Sequence, residues 1–113
     1  MTARILHNPR CTTSRKTLDL LREAGIEPEV VLYLKNPPSR SELAAMIADA
    51  GLDVRAAVRT REKLYTELGL ASASDDELLD AMVEHPILIE RPFVVTGEGT
   101  RLARPLERVR EIL

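Results

Sequence analysis

The strongest constraint on the fold lies in the first third of the chain. Ala3-Arg-Ile-Leu-His7 is a short, mostly apolar run of strand type. Leu18, Leu21 and Ala24 follow at helical spacing, and Gly25 stands where a left-handed residue ends a helix. Val30-Val-Leu-Tyr-Leu34 is a continuous apolar run, which predicts a second strand buried on both faces. A strand, a helix and a strand within about thirty residues predict a βαβ unit, two parallel strands with a right-handed crossover.

The rest of the chain alternates differently. Asn36-Pro-Pro38 breaks the pattern, and Ser39 with Glu42 three residues on forms a capping box that opens a helix carrying Leu43, Met46 and Ile47 and stopping at Gly51. Asp53 is placed to cap a short helix through Val58. Ser74 with Glu77 repeats the capping box ahead of Leu78, Leu79, Met82 and Val83, and Pro86 ends that helix. Residues 38–86 therefore read as a mostly helical insertion. Pro92-Phe-Val-Val-Thr96 and Thr100-Arg-Leu-Ala103 then flank Gly97-Glu-Gly99, which predicts a hairpin with a three-residue loop. Pro105 fits the first position of a last helix with Val109, Ile112 and Leu113 turned inward. The pattern predicts an α/β or α+β chain with one small sheet, and 113 residues suit one domain over 1–113.

Composition removes several function classes. A single cysteine, Cys11, cannot form an internal disulfide, and with two distant histidines it cannot build a Cys/His zinc finger. A net charge of −2 disfavours a nucleic-acid-coating protein. No apolar run approaches the ~20 residues of a membrane span, and the first residues lack the apolar stretch of a signal peptide. The expectation is a cytoplasmic enzyme or binding domain with no metal, membrane or nucleic-acid role. Arginine outnumbers lysine 13 to 3, which suits oxyanion binding as well as a codon bias.

His7-Asn-Pro-Arg-Cys11-Thr-Thr-Ser14-Arg15 joins the first strand to the first helix. Cys11 thus falls at a helix N-terminus, where unpaired N–H groups and the helix dipole favour a thiolate over a thiol. The same N–H groups make an anion cradle. Asn8, Thr12, Thr13 and Ser14 add polar donors, and Arg10 and Arg15 add charge. His7 is placed to hold Asn8 or the thiolate. Ser14 sits where a Cys-x-x-Cys motif carries its second thiol, so any redox cycle requires a thiol from outside the chain. Its hydroxyl has two readings, a bond to helix N–H groups or a bond to the Cys11 thiolate.

The segment His7-Asn-Pro-Arg-Cys-Thr-Thr-Ser-Arg-Lys-Thr-Leu18 resembles the active-site motif of the ArsC-type arsenate reductases coupled to glutathione and glutaredoxin. Four further stretches carry the resemblance in family order: Tyr33–Ser39, Arg55–Arg59, His85–Pro92 and Gly99–Pro105. The resemblance implies a thioredoxin-like fold, a small mixed four-stranded sheet flanked by helices, with the helical insertion at about 38–86. It implies that Cys11 is the nucleophile, that Arg59, Arg91 and Arg104 bind the substrate oxyanion, and that the peptide before Pro92 is cis. Arg61 competes locally with Arg59 for its place. The chain departs from the family pattern at Thr12, where many members carry glycine, and longer members continue beyond the position of Leu113.

The implied activity is reduction of arsenate to arsenite, with glutathione as co-substrate, glutaredoxin as partner, no bound cofactor, and phosphate or sulfate as competing anions. Arginine suits this chemistry because a thiolate approaching an arsenate dianion meets like charge, and guanidinium neutralises and orients an oxyanion at once. Three other readings stay open on the residues alone. They are a regulator of the same fold that binds RNA polymerase, a glutathione-dependent thiol enzyme of another substrate, and a phosphate- or sulfate-binding domain without chemistry.

Overall fold

The computed structural model describes residues 2–113, and these divide into two compact units. One comprises the chain up to Asn36 together with Arg91–Leu113, and the other comprises Pro37–Glu90.

In the first unit, four strands of the described residues form one mixed sheet. They are β1 (Ala3–Leu6), β2 (Glu29–Val31), β3 (Phe93–Thr96) and β4 (Gly99–Leu102), in the spatial order β2-β1-β3-β4. β1 and β2 are parallel, with Ile5 opposite Val30. The connection between them is α1 (Thr12–Glu23), so the βαβ unit forms. β3 runs antiparallel to both β1 and β4, with Ile5 opposite Val94. Ile5 and Val94 meet Leu18 and Leu21 of α1, and the core is completed by Ala103, Val109 and Ile112. Burying each large aliphatic side chain there contributes about 1.5–3 kcal/mol. α1 ends as its sequence requires, with Gly25 at φ +81 and the Ile26 N–H donating back to Leu21 O at 2.9 Å.

Three expectations for this unit need correction. The run Val30–Leu34 is not a doubly buried strand: β2 stops at Val31 and lies at the sheet edge. Val30, Leu32 and Leu34 are 38%, 36% and 43% exposed, and only Tyr33 of the run is fully buried. Local apolar content cannot distinguish a central strand from an edge one. The hairpin loop holds two residues, Gly97 and Glu98, because Gly99 pairs with Thr96 as part of β4. Its φ of +137 is open to glycine, which is why it reads locally as a loop residue. The last segment, Leu106–Ile112, is a 3-10 helix, and Pro105 precedes it as N-cap rather than opening it. Val109 and Ile112 are buried, while Leu113 is only partly so.

The second unit is helical: α2 (Arg40–Asp49), α3 (Lys63–Glu67) and α4 (Asp75–Glu84), with 3-10 turns at Val54–Ala57, Leu70–Ser72 and Pro86–Leu88. Both expected capping boxes form. Ser39 Oγ accepts the Glu42 N–H and Ser74 Oγ accepts the Glu77 N–H, each at 3.2 Å, and each glutamate returns a bond to the cap N–H. Asp53 precedes its 3-10 turn without a side-chain cap bond, so its expected capping role is not realised. Leu43, Met46 and Ile47 of α2 and Leu78, Leu79 and Met82 of α4 are buried. Arg55 ties the unit together by donating to Tyr65 Oη at 2.9 Å, Leu70 O at 3.1 Å and Ala73 O at 2.7 Å.

Candidate active site

The loop from β1 to α1 is shaped by its own polar groups. Asn8 Oδ1 accepts the Arg10 N–H at 3.0 Å, and Asn8 O accepts the Cys11 N–H at 3.0 Å. This local turn sets Cys11 at the N-cap of α1, with φ −93 and ψ 121. Arg15 fastens the loop from outside, donating to Pro9 O at 2.8 Å and to Thr12 Oγ1 at 3.3 Å. Its guanidinium therefore holds the loop in shape rather than merely adding charge.

Ser14 resolves its two readings in a third way. Its buried hydroxyl oxygen accepts the Asn8 N–H at 3.1 Å and lies 2.7 Å from His7 Nδ1. The side chain thus anchors α1 to the end of β1. Burial, with the charges of Arg22 and Arg15, holds the His7 imidazole below its ordinary pKa, so His7 is neutral at physiological pH. Sequence spacing does not show this pairing, because the contact depends on how the loop folds back.

Cys11 is buried, and β3 and β4 bring two arginines to it. Arg91 lies two residues before β3 and is buried, and Arg104 lies two residues after β4 and is partly buried. Arg104 Nη2 donates to Cys11 Sγ at 3.6 Å, while its Nε donates to Arg91 O at 2.7 Å. Burial alone pushes the Cys11 thiol up. A hydrogen bond from the Arg91 side chain, the Ser14 backbone N–H and the charges of Arg91 and Arg104 outweigh it, and Cys11 titrates below the ordinary cysteine value. The Arg91–Pro92 peptide is cis, as the resemblance implies, and so is Arg104–Pro105, which nothing in the sequence announces. Both cis bonds follow an arginine of the site.

Cys11, Ser14, His7, Asn8, Arg91, Pro92 and Arg104 thus belong to one unit. Thr12 is exposed and its hydroxyl faces Arg15, whereas Thr13 is half-buried. Arg59 belongs to the other unit, directly after the bridge between Val58 and Ile89. Its N–H donates to Leu88 O at 2.7 Å, its Nε pairs with Glu62 at 2.8 Å, and Glu90 lies 3.9 Å from its Nη1. No sequence motif marks these two carboxylates as partners of Arg59. Arg61 is exposed. Among the described residues no three His, Cys, Asp or Glu side chains cluster as metal ligands, and no helix is long and apolar enough to cross a membrane.

A lowered thiol pKa beside two guanidinium groups is an arrangement that can attack an oxyanion and stabilise the charge that develops. Residues 6–112 match the model of the ArsC family. An arsenate reductase of Rhizobium meliloti (strain 1021) is 65% identical over all of this chain and 82% of its own length. One from Escherichia coli is 56% identical over 96% of this chain and 79% of its own. The solved arsenate reductase from Vibrio cholerae superposes with a TM-score of 0.95 at 50% identity, covering 100% of this chain and 98% of that one. The fold is accordingly thioredoxin-like, and the chain belongs to the ArsC family.

Proposed function

We propose that this chain is an arsenate reductase, an oxidoreductase whose nucleophile is Cys11. The observation that carries the reading is the buried Cys11 sulfur at the N-cap of α1, with Arg104 Nη2 at 3.6 Å and Arg91 buried in the same unit. The names of its highly identical relatives support arsenate as the oxyanion. Arg91 and Arg104 neutralise the dianion as the thiolate approaches, and Arg59 is the third oxyanion ligand implied by the family motif. Asn8, Thr12, Thr13, Ser14, His7 and Pro92 support the loop that presents Cys11.

The Cys11 thiolate displaces one arsenic-bound oxygen, which leaves as water after protonation, and forms a Cys11–arsenic bond. Glutathione displaces a second oxygen in the same way. A further thiol, supplied by glutaredoxin, attacks the glutathione sulfur. The sulfur–arsenic bond breaks and its electron pair stays on arsenic, which passes from the +5 to the +3 state. Two thiols thereby become one mixed disulfide. Water cleaves the Cys11–arsenic bond, releases arsenite and restores the thiol. The single cysteine of the chain supports an external donor, because no second thiol is available to close a disulfide. Such a cycle runs in a reducing compartment such as the cytoplasm. Phosphate and sulfate, sharing shape and charge with arsenate, act as competitors.

The test is a coupled assay with arsenate, glutathione, glutaredoxin and its reductase, each left out in turn. Arsenite formation that needs every component, and that vanishes in Cys11→Ser with the fold retained, supports the proposal. Full turnover in Cys11→Ser refutes it.

A further inference from the structure

Arg104 faces more than the Cys11 sulfur. Together with Thr13, Lys16, Pro105, Leu106 and Glu107 it lines a cleft of about 340 Å³ between the first turns of α1 and the segment after β4. That volume lies within the ~300–1,000 Å³ of small-molecule sites. A tetrahedral oxyanion is much smaller. The charges are mixed as well: Lys16 and Arg104 are cationic and Glu107 is anionic. A cleft built for an oxyanion gains nothing from a carboxylate on its wall. A ligand with two carboxylates and one ammonium matches two cations and one anion.

Building on the reductase reading above, we propose that this cleft seats the thiol co-substrate, an anionic tripeptide thiol of the glutathione type. Its two carboxylates lie toward Lys16 and Arg104 and its ammonium toward Glu107. Glutathione carries those charges at neutral pH. Arg104 joins the two sites, since it lines the cleft and also donates to Cys11 Sγ at 3.6 Å. A thiol held there has its sulfur on the Cys11 side, where the arsenic adduct forms. Leu106 and Pro105 supply apolar wall for the methylene groups of the ligand. Lys16 and Glu107 are both exposed, so each contributes specificity for the reductant and affinity of the modest size typical of surface charges.

The probe for binding is S-methylglutathione, which carries the same charges and cannot react. Titrated into the full chain, it should move the backbone amide resonances of Thr13, Lys16 and Leu106. Lys16→Glu should weaken that binding about five- to tenfold, because attraction becomes repulsion. Glu107→Gln should weaken it less, and should leave the binding of N-acetylated S-methylglutathione unchanged, since that ligand has no ammonium. Resonance changes confined to other regions, or equal affinity in Lys16→Glu and the parent, overturn the assignment. In steady state, Lys16→Glu should raise the KM for glutathione about five- to tenfold while the loss with uncharged 2-mercaptoethanol is much smaller. Equal losses with both thiols overturn it too. Absence of arsenate turnover in the parent, with S-methylglutathione still bound at Thr13, Lys16 and Leu106, refutes the reductase reading and leaves the cleft assignment standing.

Discussion

Removing Arg104 tests the electrostatics of the site directly. Its Nη2 lies 3.6 Å from Cys11 Sγ, and the side chain is only partly buried, so water screens the pair. Coulomb interaction at that distance in a water-like dielectric is about 1.2 kcal/mol. At about 1.4 kcal/mol per pKa step, Arg104→Met should move the thiol midpoint up by about 0.8 pH units. Arg104→Lys, which keeps the charge, should move it less. Arg91→Met should move it further than Arg104→Met, because Arg91 is buried, where screening is weaker, and hydrogen-bonds the sulfur. The assay is the rate of iodoacetamide alkylation against pH. With one cysteine in the chain, every alkylation event reports Cys11. An unchanged midpoint in both methionine variants would refute the claim that these arginines set the thiolate, and leave the helix N-terminus as its cause.

Three further outcomes follow from other parts of the molecule. Burial lowers the His7 pKa, so the unfolded chain takes up that proton first as pH falls; stability should decline below about pH 6.5, and His7→Gln should flatten that decline in urea titrations. Ser74→Ala removes one half of a capping box and should cost about 1 kcal/mol by chemical denaturation; no loss would mean that α4 is held by packing alone. Arg55→Ala breaks three half-buried hydrogen bonds from a charged donor and should cost about 2–4 kcal/mol. Arg40→Ala loses only exposed pairs with Asp76 and Asp80 and should change little, so equal losses in the two variants would contradict the ranking by burial.

Legibility in the sequence tracked the range of the interaction. The capping boxes at Ser39 and Ser74, the stop at Gly25 and the N-cap position of Cys11 are settled within four or five residues, and each formed where the sequence placed it. The extent of β2 is not legible locally, because burial of Val30–Leu34 depends on which strands lie beside it. The hairpin loop is one residue shorter than its sequence suggests, because Gly99 pairs across the sheet. Of the groups at the thiol, Cys11 is visible from local position, and Arg91 and Arg104 only through family resemblance. The hydroxyl of Ser14 and the guanidinium of Arg15 were visible as polar groups, but their partners were not.

The sequence by itself determined the βαβ start, the helical stretch of 38–86, and a thiol at a helix N-terminus with no second thiol to close a disulfide. Those are properties of periodicity, capping and counting, which need no distant partner. Tertiary structure alone decided that Arg104, far along the chain, bonds the Cys11 sulfur, that Arg91 is buried beside it, and that Lys16 and Glu107 share a cleft with Arg104. Those juxtapositions arise because antiparallel pairing of β3 with β1 and β4 returns the C-terminal chain to the thiol loop, and such pairing is long-range. A thiolate needs its counter-charges within a few ångströms, and only the folded sheet sets that distance.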